Sequence, residues 1–135
     1  MINRLPCPSC PYRADVESGI WASAEYEKLP LYDLPTQDQP LNVFFCHQAD
    51  GCVCRGWLDV HGSQVGANEL LSLRLGIAMG KVDCEAIENA IAEGPQTKVF
   101  DSGMKAARHG VKDIESPSPG AIQQMEKIKR RRTKA

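Results

Sequence analysis

The sequence predicts a small α+β domain, stabilised by a metal, with a short strand or hairpin, two to three packed helices and a flexible basic C-terminal tail. Three observations carry this expectation. The 135 residues suffice for one core of ordinary size. Most of the six cysteines fall into two groups, Cys7 with Cys10 and Cys46 with Cys52 and Cys54. One β-branched and aromatic run is followed by stretches of helical periodicity. The composition, 42% hydrophobic and 24% charged, excludes a wholly disordered, collagenous or coiled-coil chain.

Residues 6–13 hold three prolines and read as a stiff loop. Residues 22–29 predict a short helix with Ser23 as its cap. Pro30, Pro35 and Pro40 make 30–40 an irregular surface loop. The run Leu-Asn-Val-Phe-Phe-Cys at 41–46 predicts a strand. Asp50-Gly51 then supplies a turn signal into a segment holding Trp57, Leu58 and Val60, which is either a hairpin partner or a helix. Residues 67–79 are the clearest helix, with Leu70, Leu71, Leu73, Ile77 and Ala78 on a broad apolar face. Asp83 opens a second helix that ends before Gly94-Pro95. Asp101 or Ser102 caps a third that closes at Gly110. Ser116 to Gly120 is a linker signature. The expected division is a cysteine-rich domain at 1–115 and a linker with basic tail at 116–135. Ile122, Met125 and Ile128 mark one face of a helix within that tail.

The start of the chain shows no signal-peptide core, and no window approaches a membrane span. The expectation is a cytoplasmic protein with reduced thiols, so clustered cysteines point to metal or redox chemistry rather than disulfides. Cys7 and Cys10 lie on one tight turn, from which both can reach one ion. Cys46 is the third candidate; Cys54 and Cys52 compete for the fourth place. His47 is a weaker candidate, because adjacent residues seldom reach one ion comfortably. Cys84 sits in a helical pattern among apolar neighbours and reads as a buried core cysteine. Four thiolates suit structural zinc; a 4Fe-4S cluster is the alternative. A redox Cys7–Cys10 pair is disfavoured, since Pro11 follows and no strand precedes. His61 and His109 read as surface or capping histidines.

The residues also resemble a known family. Cys7-Pro8-Ser9-Cys10-Pro11-Tyr12-Arg13, Phe45-Cys46-His47, Cys54-Arg55-Gly56-Trp57 and Phe100-Asp101-Ser102 are similar to motifs of a bacterial and bacteriophage domain of unknown function. The resemblance spans about residues 5–111. It implies a shared core without naming a reaction, and places the protein in a bacterial or phage-infected cytoplasm. It favours Cys7, Cys10, Cys46 and Cys54 as ligands and leaves Cys52 and Cys84 as extras. It also draws in Arg13, as a counter-charge to thiolates, and Trp57, as an apolar wall over the site.

The net charge of −1 hides a division. Lys127, Lys129, Arg130, Arg131, Arg132 and Lys134 are six of the 16 basic residues, with no acidic residue from 127 onward. The rest of the chain has 10 basic against 17 acidic residues, or −7. Such a tail suits nucleic-acid phosphates or an acidic protein surface, and no interleaved aromatic suggests stacking on single strands. No paired carboxylates, nucleophile elbow, zinc-protease helix or P-loop mark an enzyme. The expected function is a zinc-stabilised accessory or binding module, with an iron–sulfur redox or sensing protein as the alternative.

Overall fold

A computed structural model describes residues 2–46, 51–66 and 69–134. Cys54 decides how the middle of the chain folds. Its sulfur accepts a hydrogen bond from the Trp57 amide at 3.4 Å, which caps a helix starting at Arg55. That helix, α2, runs on without a break: an α-turn Arg55–Trp57, a π-helical turn Leu58–Gly62 and an α-turn Ser63–Val65. Residues 55–62 are all buried. A stretch buried on every side is central, and its polar residues Arg55, Asp59 and His61 must find partners inside the fold.

The expected strand is therefore not formed, and the α+β class is corrected: the described residues hold six helices, no strand and no sheet. Phe45 pairs antiparallel with Val53, flanked by Cys46 N to Cys52 O at 2.8 Å and Cys54 N to Phe44 O at 2.9 Å. Ile2 takes the other edge of Val53. The ladder stops there because the next residue already caps α2.

The first helix, α1, is Ser23–Glu27, with Ala22 rather than Ser23 at its cap and no side-chain cap bond. The proline-rich stretch that follows is more ordered than expected, with 3-10 turns at Leu29–Asp33 and Thr36–Asp38 that bury Leu29 and Tyr32. Helix α3 is Leu71–Ala78, whose first amide is capped by Gln39 Oε1 at 3.0 Å; Leu73 is buried in it and Leu70 just before it. Helix α4 is Cys84–Glu93, capped by Asp83, with Ile87 and Ala90 turned inward against the π-turn of α2. Helix α5 is Gly103–Val111 and packs on α1 and on the turn Leu29–Asp33. Its packing is close enough to require glycine: a Cβ at Gly110 would run into the Tyr26 ring.

The basic C-terminal segment is not a loose tail. Helix α6, Pro119–Lys134, starts with Pro119 in its first turn and with Ser118 Oγ accepting from Ala121 N at 3.1 Å. Ala121 and Ile128 are buried against the body, Met125 is partly buried, and Ile122 is 45% exposed. The apolar face is thus 121/125/128 rather than 122/125/128. Among the described residues no helix is long and apolar enough to cross a membrane.

Candidate metal centre

The Pro-rich start forms a tight turn, with Cys10 N donating to Cys7 O at 3.0 Å and Arg13 N to Cys10 O at 3.1 Å. This turn lies against the beginning of α2. Cys10 Sγ is 3.7 Å from Cys54 Sγ, across 44 positions of sequence. A Cβ at Gly56 would collide with Cys10 Sγ, so the glycine is what lets the turn reach the helix. All six cysteines are thiols rather than disulfides.

Cys10 and Cys54 are buried, and Cys7 partly so. The Cys7 thiol is pushed far up by its hydrogen bond to Cys10 and then by burial. Cys10 is pushed up by its bond to Cys54, with burial adding to the effect. Arg13 lies within electrostatic reach of Cys7 and Cys10. Arg13 is committed to Asp15 through two bonds of 2.9 Å, with Pro6 O as a third partner at 3.3 Å. Positive charge placed among these thiols would favour their ionised form.

The single-bridge pairing puts residues 44, 46, 52 and 54 on one side of their two segments. Cys46 and Cys52 therefore share a side with Cys54. Cys52 is buried and Cys46 half-buried. His47 lies outside the described residues. The donor chemistry suits a soft cation, but among the described residues no group of three or more His, Cys, Asp or Glu side chains is gathered to hold an ion as it stands. Cys84 is corrected: it is exposed on α4, its thiol 3.5 Å from Glu88.

A second polar cluster sits behind the thiols, unforeseen from sequence. His61 has no exposed surface, against the expectation of a surface residue. Its Nδ1 faces Gln64 Oε1 at 3.1 Å and Asp33 Oδ1 at 3.4 Å, both acceptors, so the proton belongs there. Nε2 then accepts from the Tyr12 hydroxyl at 3.1 Å. Burial lowers the His61 pKa to about 4, against the opposing pull of Asp33 and Gln64. Burial raises the Tyr12 hydroxyl well above its usual range. Trp57, fully buried, stands edge-on to Tyr32 at 5.3 Å between ring centroids. His109 is partly buried, bonded through Nε2 to Val16 O at 2.7 Å. The alternation of polar and apolar residues gave no signal for His61, because the π-turn breaks the 3.6-residue period that would place it.

Buried Arg55 forms a third cluster. It donates to Asp59 at 2.8 Å and to the carbonyls of Ala90 and Gly94, tying α2 to the end of α4. Of the basic residues, Lys127, Lys129, Arg130 and Arg131 are exposed on α6. Gln124 Nε2 donates to Pro8 O at 3.0 Å, so α6 rests on the Cys7–Cys10 turn.

A family model matches residues 2–132, almost the whole chain; its description is a family of unknown function, DUF6283. No curated protein and no solved structure matches the chain.

Proposed function

The chain belongs to the DUF6283 family of unknown function, and we propose that it is a small zinc-stabilised binding module. Cys7, Cys10 and Cys54 would be ligands, with Cys46 as the fourth and Cys52 as its competitor on the same side. The Cys10–Cys54 separation carries the reading. Zn–S bonds of about 2.3 Å set tetrahedral sulfurs about 3.8 Å apart, and these two stand at 3.7 Å. The ion would tie the N-terminal turn, the paired segments and α2 together, supplying folding free energy and no reaction. Trp57 Nε1 has no hydrogen-bond partner among the described residues and, like the aromatic rings around it, would belong to a wall that keeps water out. Arg13 stands beside the thiols but neutralises Asp15. The exposed basic residues of α6 supply the binding surface for an anionic partner.

Metal analysis after aerobic and anaerobic purification tests this. The expected result is one colourless zinc per chain, lost in Cys54→Ser. A brown protein with iron and labile sulfide, or a chain without metal, overturns it. Full zinc content in Cys54→Ser removes that cysteine from the ligand set.

A further inference from the structure

We propose that α6 is a docked interface for the phosphate backbone of a nucleic-acid duplex, with Lys127 and Arg131 on its contacting face. This rests on the reading of the chain as a binding module and names its partner. Lys127, Arg130 and Arg131 are spaced i, i+3, i+4, within about 100° of arc on one side of the helix. Lys127 and Arg131 line a recess of about 160 Å³ with Pro8, Gln124 and Ile128. Helix and recess are held in place by buried Ile128 and by the Gln124 bond to Pro8. Like charges one turn apart destabilise a helix by a few tenths of a kcal/mol per pair, a cost that an anionic partner removes.

Charge density selects the partner. On the contacting face Lys127, Arg130 and Arg131 span about 6 Å of helix axis, roughly one charge per 2–3 Å, comparable to the one per ~1.7 Å along a DNA duplex. The helix has no aromatic residue, so stacking on single strands is not available to it. The remainder of the chain carries −7 net, which disfavours a polyanion there relative to α6.

Fluorescence anisotropy of the full chain with a labelled DNA duplex of about 20 base pairs, across a salt series, tests this. Affinity should fall linearly in the log–log plot. Lys127→Ala should weaken binding about eight-fold near 0.1 M salt and flatten the slope by about 0.9. Lys129→Ala, about 160° round the helix, should cost less than about two-fold. Both substitutions are at exposed positions, and circular dichroism verifies the fold. Equal losses in the two variants overturn a docked face in favour of an unstructured cationic segment. Absent retention at low salt, or tighter binding to a polyglutamate peptide than to DNA, overturns the duplex. Zinc is assayed in the same samples. Zinc-loaded protein without DNA binding sinks this proposal alone, and zinc-free protein showing the full pattern sinks only the zinc reading.

Discussion

His61 shows how one buried residue sets a pH dependence. The imidazole is neutral in the fold, with its pKa lowered to about 4 because burial penalises the cation. Unfolding returns it to about 6.5, where it takes up a proton. Its contribution to stability is therefore complete above pH 6.5 and is lost as pH falls toward 4. The shift corresponds to about 3 kcal/mol. Urea unfolding at pH 7.5 and 4.5 should show that loss in the native chain. His61→Gln, which cannot titrate, should reduce it by about that amount. An unchanged pH dependence in the variant would refute the neutral imidazole. Gly56 is a different kind of single-residue requirement, since Cys10 Sγ occupies the space of its Cβ. The sequence placed Gly56 in a motif without giving a reason for it. The reason is a contact 46 positions away along the chain.

Among the elements, α5 is held from two directions. Ser102 Oγ caps it locally, accepting from Lys105 N at 3.1 Å. Asp33 reaches its first turn from the 3-10 turn, accepting from Gly103 N at 2.9 Å and Met104 N at 2.8 Å. The carboxylate also meets the positive end of the helix dipole and the Nδ1–H of His61. Ser102→Ala should cost about 1 kcal/mol, the usual value of a lost cap. Asp33→Ala removes two charge-assisted bonds and a buried histidine's partner, and should cost about 2–3 kcal/mol in chemical denaturation. The order of the two is the test: a larger loss at Ser102 would contradict the cross-element cap. Local signals made Asp83 legible as a cap and narrowed the other to Asp101 or Ser102, because a cap depends only on its nearest amides. Asp33 was not legible, since its partners are 70 and 71 positions away. The 41–46 segment failed as a strand for a related reason. Its β-forming residues are real, but a strand needs a partner of equal length, and Cys54 turns that partner into a helix after one bridge.

At the scale of the molecule, the C-terminal helix joins the core. Ile128 is 8% exposed and packs with Ala121 and Met125 on the body. Ile128→Asp should lower stability by about 2–3 kcal/mol and reduce the helix signal in circular dichroism. A loose tail would show neither effect. The sequence by itself determined the features that depend on local chemistry. These are the helix starts at Asp83 and at Asp101 or Ser102, the turn that pairs Cys7 with Cys10, and the segregation of positive charge at the end of the chain. Tertiary structure alone decided that Cys54 lies against Cys10, that His61 is buried, that Cys84 is exposed and that α6 docks on the cysteine turn. Each of these rests on contacts between distant segments, and their free energy comes from burial that a local pattern of residues does not specify.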